Sequence, residues 1–213
     1  MLGASPDAPG WLRRASAAAE EALAGRAVFL RVGVLLGDCG VAAAIRRRLE
    51  GGKVFPVPGL AHARLEPIAV DDFARYAVAA VADGSDLDEI YDLGCGEMMT
   101  AELLVRELAE NLGLERWIVP LPGFLRGAVA RWLATPELPA RWIEGMLEVL
   151  PGLLPRRMNA WEHFEVKPVD LRVAMAAAAG MEIPLRRRGS EEGDRFAWKR
   201  PRKKGILWTK PRS

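Results

Sequence analysis

Val28-Phe29-Leu30-Arg31-Val32-Gly33-Val34-Leu35-Leu36-Gly37 decides how the rest of the chain is read. The run is short, rich in β-branched residues and almost continuously apolar, as expected of a parallel strand covered on both faces. Upstream, Trp11 to Gly25 is alanine- and glutamate-rich, with Gly25 as its stop, and predicts a helix. Downstream, Gly37-Asp38-Cys39-Gly40 is a turn and Val41 to Glu50 a second helix. Asp71 caps a third, with Phe73, Tyr76, Ala77, Ala80 and Val81 spaced for one buried face. Glu89 to Leu93 is a second short strand, closed by Gly94-Cys95-Gly96. Thr100 caps a helix running to Leu112, with Leu103, Leu104, Leu108 and Leu112 on its apolar side and Gly113 at its end. Helix, strand, helix, strand, helix is the crossover order of a parallel sheet, which makes the fold class α/β.

The remaining segments extend this frame. Lys53 to Leu65 is rich in Pro and Gly and reads as irregular, ending in an extended piece from Leu65 to Val70. Trp117 to Pro120 is a short strand. Phe124 to Leu150 is helical with breaks at Pro136 and Pro139, and Val169 to Ala179 is a last helix stopped by Gly180. Trp132, Trp142 and Trp161 are expected to pack these late helices together, with a ligand pocket as the alternative role. There is no internal repeat.

Composition narrows the function classes. Of 213 residues, 50% are hydrophobic and 27% charged, enough for a buried core over most of the length. Residues 1–185 read as one domain and 186–213 as a basic tail. Apolar runs are interrupted well before the roughly 20 residues a membrane-spanning helix needs, and no signal-peptide pattern opens the chain. Cys39 and Cys95 are too few and too far apart for a disulfide framework or a metal knuckle, and His62 and His163 add no metal-site spacing. A cytoplasmic protein with reduced thiols and no metal is the expectation. The net charge of +2 is unevenly spread: the tail has eleven Lys or Arg against three acids, a net +8, leaving −6 on the first 185 residues. Phe196, Trp198 and Trp208 are interleaved with those cations, which suits a nucleic acid or an anionic membrane surface. The alternative is a solvated, disordered extension.

Three segments together resemble one family. Leu30-Arg31-Val32-Gly33-Val34-Leu35-Leu36-Gly37 resembles the L-R-P-G-x-x-x-G strand and turn of extended and atypical short-chain dehydrogenases. His62 to Asp72, ending Ile68-Ala69-Val70-Asp71-Asp72, is similar to their H-x-x-I-x-V-x-D-x-A stretch. Ile90-Tyr91-Asp92-Leu93-Gly94-Cys95-Gly96-Glu97 followed by Thr100 is similar to their Y-x-[IL]-G-G-x-x-x-x-T. The order and spacing of the three carry the resemblance, which covers roughly residues 3 to 180 and is nearest the NmrA-like and epimerase-like subgroup. It implies a partial Rossmann-like fold: the last parallel strands of a doubly wound sheet, with a mostly helical substrate-side lobe. It also implies an NAD(P)-dependent oxidoreductase, epimerase or redox-sensing relative. Val32, Gly33 and Val34 would then lie against a nicotinamide ring through backbone groups, and Val32 stands where the family usually has Pro. Arg31 and His62 are the substrate-side candidates. Arg31 has structural pairing as its alternative, because an Arg inside a strand needs a partner. A lone His such as His62 is usually a satisfied surface or core residue.

Two parts of the family's machinery are missing from the sequence. No G-x-x-G-x-x-G or G-x-G-x-x-G occurs, so nothing here matches the turn that holds a dinucleotide pyrophosphate. The helix preceding Arg31 should carry the family's Tyr and, four residues on, the Lys that lowers its pKa, near Leu12 and Ser16. Met1 to Gly25 holds neither residue type, so no shift of register restores the pair and no catalytic residue is assigned. The expectation is a truncated relative that does not bind NAD(P) or transfer hydride by itself. A late start, a gene split from its N-terminal half and a naturally short protein are the three explanations. It would aggregate, associate with itself or need its missing half. A non-catalytic interaction protein is the alternative reading. Asp71 and Asp72 read as a helix cap with a second acid on the helix dipole, rather than an acid–base pair. Cys95, between two glycines, reads as a tight-turn residue rather than a reactive thiol.

Overall fold

The computed structural model describes residues 10–58, 63–83, 89–150 and 160–181. The chain enters through α1 (Trp11–Ala22) and passes into β1 (Phe29–Val32) and β2 (Val34–Leu36). Then come α2 (Gly40–Gly51), β3 (Val54–Pro58), β4 (Arg64–Leu65), β5 (Pro67–Ala69) and α3 (Val70–Asp83). β6 (Ile90–Leu93), β7 (Met99–Thr100), α4 (Ala101–Asn111) and β8 (Trp117–Leu121) follow. A 3₁₀ turn leads to α5 (Arg126–Leu133), α6 (Ala140–Val149), α7 (Ala160–Phe164) and α8 (Leu171–Ala178). The architecture is mixed α/β with parallel strand pairs. Among the described residues no helix is long and apolar enough to cross a membrane.

The apolar run from Val28 to Leu36, read as one strand, divides at Gly33. β1 pairs in parallel with β6, Phe29 opposite Ile90 through Val32 opposite Leu93. β2 pairs in parallel with β5, Val34 opposite Pro67. The change of partner falls at Gly33.

A second correction concerns Lys53 to Leu65. Its prolines argued for irregular chain, yet β3 forms there and pairs with β8 over five residues, Val54 opposite Trp117 through Pro58 opposite Leu121. The Trp117 N–H donates to the Lys53 carbonyl at 2.8 Å. Peptide groups of alternate residues point to opposite edges of a strand, so Lys53, Phe55 and Val57 face β8. Pro56 and Pro58 therefore place their missing N–H on the far edge. By the same parity Pro120 faces away from β3. Each proline sits where it removes no ladder bond. Phe55 and Val57 meanwhile bury their side chains. β4 and β7 form a short antiparallel pair.

The helices pack by their apolar stripes. In α4 the Thr100 hydroxyl accepts from the Leu103 N–H at 3.1 Å, as its N-cap position requires. The buried stripe is Leu104, Val105, Leu108 and Ala109; Leu103, expected on that side, falls outside it and is 40% exposed. Val81 of α3 is likewise exposed, because a step of 100° per residue carries it to the flank of the face centred on Phe73, Tyr76 and Ala80. Trp132 meets Phe55 edge-on at 5.1 Å, beneath the Arg48 guanidinium. Trp142 meets Trp11 at 5.4 Å, and the Trp11 indole lies so close to Gly145 that a methyl group there would collide with it. Trp161 is partly exposed.

Two cores result. The larger joins β2–β5 to α2, α4, α5, α6 and α8 around Leu36, Leu49, Leu65, Leu108, Ile143 and Met175. The smaller lies between α3, β6 and α7 around Ile68, Tyr76, Tyr91, Leu93 and Phe164.

Buried polar groups tie these elements. Asp72 is fully buried; its carboxylate accepts from Arg75 one helical turn on and from the Val169 N–H at 2.8 Å. The Tyr76 hydroxyl donates to the Val166 carbonyl at 2.7 Å. α3 starts at Val70, so Asp71, read as its cap, lies with Asp72 inside the first turn, and Asp72 also anchors the segment leading to α8. Arg31 of β1 makes a bidentate pair with Glu20 of α1, Nε to Oε1 at 2.8 Å and a second nitrogen to Oε2 at 2.5 Å.

Replacing Asp72 with Ala leaves the Val169 N–H without its acceptor, and we expect a loss of about 3 kcal/mol in urea unfolding. Glu20→Ala strips Arg31 of a bidentate partner at a site where both side chains are nearly covered. The expected cost is roughly 2 kcal/mol, with Glu20→Gln losing less, measured in the same way.

Candidate functional site

β1 and β6 run side by side and end together, and in open parallel sheets the carboxyl ends of the strands are where ligands gather. Val32 is the last residue of β1, opposite Leu93; Val34 is the first of β2, opposite Pro67, and Gly33 lies between them. Val32 and Gly33 are half-buried and Val34 is buried. The three residues read as facing a ring therefore lie where β1 ends and its continuation changes partner.

Two further pieces meet at the same level. After Leu93 the chain turns through Gly94-Cys95-Gly96, and the Cys95 N–H donates to the Pro67 carbonyl at 3.1 Å. Glu66, between β4 and β5, extends its side chain over Gly94 so closely that a methyl group there would overlap the carboxyl group. Its Oε1 accepts from the Gly96 N–H at 2.6 Å. Burial pushes the Glu66 carboxyl above the ordinary carboxylate range, and the Gly96 N–H pulls the other way without cancelling it. Sequence reasoning missed Glu66; the available signal was an isolated acid in Arg64-Leu65-Glu66-Pro67-Ile68, immediately before a buried strand.

Cys95 is pushed up to about 11, first by burial, with the charges of Glu66 and Glu97 adding to it. Its thiol also donates to the Glu97 carbonyl at 3.4 Å. At neutral pH it is a thiol rather than a nucleophilic thiolate. Cys39 is raised as well, by burial and then by Asp38.

Arg31 stands opposite Asp92 on β6 and points its guanidinium at Glu20. The hydrogen bond to Glu20 raises its pKa; burial opposes this, and the charges of Glu20 and Asp92 add to it. This is the structural pairing named as its alternative role. His62 lies outside the described residues. α1, which precedes β1, contains no Tyr and no Lys. The chain's two tyrosines are used elsewhere: Tyr76 on Val166, its hydroxyl pushed up to about 12 by burial, and Tyr91 on Glu89 and His163. Among the described residues no group of three or more His, Cys, Asp or Glu side chains could hold a metal ion.

No protein-family model matches the sequence, and no curated protein does. Solved structures do match. One is an NADPH-dependent quinone oxidoreductase from Escherichia coli complexed with NADPH, with a TM-score of 0.59 and 16% identity, covering 83% of this chain and 62% of that one. Another is a nucleoside-diphosphate-sugar epimerase from Staphylococcus aureus, at 0.54 and 17%, covering 70% of this chain and 51% of that one. A human epimerase family protein solved with NADPH matches at 0.53 and 20%, covering 72% of this chain and 48% of that one. At such identities the fold is what is shared. The chain shares its α/β fold with these oxidoreductase and epimerase structures, and it spans about half to three-fifths of their length.

Proposed function

We propose that these residues form the last-strand and substrate-side portion of an NAD(P)-dependent oxidoreductase or epimerase of the short-chain dehydrogenase type, and that they do not carry out the chemistry alone. The observation that carries this reading is the β1–β6 pair: two parallel strands ending together, one at Gly33 and the other at Gly94. Glycines at adjacent strand ends suit a flat ring approached by backbone, which is the role given to Val32, Gly33 and Val34. The pyrophosphate end of such a cofactor has no match in this sequence, which lacks the glycine-rich turn. α1 likewise lacks a Tyr–Lys pair for proton transfer. The bound dinucleotide would supply hydride chemistry; these residues would contribute a surface for its ring and a lobe for the substrate.

A two-stranded parallel pair has open edges and is marginal by itself. The complete sheet draws further strands from a nucleotide-binding half, with self-association as the competing outcome. A second role rests on residues 186–213, which lie outside the described residues. Their net +8 charge with interleaved aromatics favours an anionic partner such as single-stranded nucleic acid or an acidic membrane surface.

A thermal melt of the 213-residue chain with and without millimolar NADPH or NADH tests the main reading. A ligand at 100 times its Kd adds about 2.7 kcal/mol and moves a melt by several degrees. The expected result is no shift, and a clear shift would show that the chain completes a cofactor site unaided.

A further inference from the structure

Between β3 and the helices α2, α4, α5 and α6 the larger core leaves a cavity of about 70 Å³. Phe55 and Val57 of β3 form one side of it, with Ile45 of α2, Leu104 of α4, Val129 of α5 and Ile143 of α6 around them. All six are buried, and Phe55 is held edge-on by Trp132 at 5.1 Å. Among the described residues every side chain on the wall is apolar. Pro56 and Pro58 line it too and, having no N–H, bring no backbone donor to it. The cavity is not sealed, and the half-buried Met146 and Leu147 of α6 also belong to its wall. Protein cores are packed as densely as organic crystals, with few voids larger than a water molecule. This one exceeds the roughly 10–15 Å³ that a water needs, yet its walls offer water no hydrogen bond. Left empty, such a space destabilises the core in proportion to its volume.

We propose that this cavity is a binding site for the unbranched alkyl chain of a ligand. The lining decides the chemical class. A sugar hydroxyl or a charged group entering it loses its water and gains no hydrogen bond, whereas a methylene group gains by leaving water. The volume decides the shape. An apolar cavity of about 150 Å³ takes up benzene, and half that space suits a chain rather than a ring. The open side lets the polar end of the same molecule stay in solvent. Position ties the site to the strand ends, because Val34 belongs both to the cavity wall and to the Val32–Val34 segment where β1 gives way to β2. A molecule anchored here by its chain has its other end near that segment, so it is an aliphatic substrate rather than a sugar. That last step rests on the function proposed above; the alkyl site does not.

Carbon-13 methyl NMR of the full chain, titrated with the 1-alkanols from propanol to octanol, tests the proposal. The methyl groups of Ile45, Val105 and Ile143 report on the cavity, and those of Ile68 and Leu93 in the smaller core serve as the internal control. The cavity methyls should shift saturably while the control methyls stay still. The dissociation constant should fall about fourfold for each added methylene until the cavity is full, and then level off. Benzene should leave the same methyls unmoved. Ala101→Leu, which fills the cavity from the first turn of α4, should abolish the alkanol shifts while the smaller-core methyls keep their positions. Shifts that do not saturate, or that are equal in both cores, overturn the site, as does unchanged binding in Ala101→Leu. Xenon binding without alkanol binding marks a closed packing void and overturns it too, and benzene binding as tightly as hexanol overturns the preference for a chain. The alkanol series needs no variant. None of these readouts involves a dinucleotide, so they succeed or fail independently of the melt with NADPH.

Discussion

Parallel pairing of Phe29–Val32 with Ile90–Leu93 sets the terms for the rest of the chain. Two parallel strands cannot be joined by a tight turn, so the polypeptide between them must leave the sheet and return. It does so by building α2, β3–β5 and α3, and that excursion supplies β2's partner and much of the larger core. At Gly33 the continuous apolar run gives up one neighbour and takes another. The strand ends, the turn after β6 and the Glu66 side chain are brought together by that same division.

Much of this was legible in the sequence because local signals agreed with the tertiary outcome. Thr100 and Gly113 bracket α4, Pro136 and Pro139 separate α5 from α6, and Gly180 follows α8, each for a reason visible one turn away. What was not legible depended on knowing a partner. β3 reads as irregular until β8 is placed beside it, because only then is it apparent which edge its prolines occupy. Leu103 and Val81 have the right residue type but the wrong angular position, Leu103 turned away from its helix's buried stripe and Val81 well to the side of its own. Glu66 showed in the sequence only as an isolated acid before a buried strand, because its surroundings come from a glycine that lies far along the chain and close in space.

Charged side chains inside the fold serve mainly to specify it. Arg13 reaches the Val149 carbonyl at 2.7 Å, Arg31 grips Glu20, and Asp72 takes the Val169 N–H. Each joins segments that the hydrophobic cores alone would leave free to slide, and each does so at a desolvation cost that makes its net stabilisation modest. Such ties fix α1 against β1 and the approach to α8 against α3, and so determine which faces remain to be shared with anything else.

The prolines of β3 and β8 reach beyond their own ladder. Pro56 and Pro58 remove donors from the outer edge of one strand, and Pro120 removes one from the outer edge of the other. Neither margin of that pair can recruit another strand through a regular ladder. Growth of the sheet by added chain, whether in assembly or in misassembly, is thereby steered away from β3 and β8.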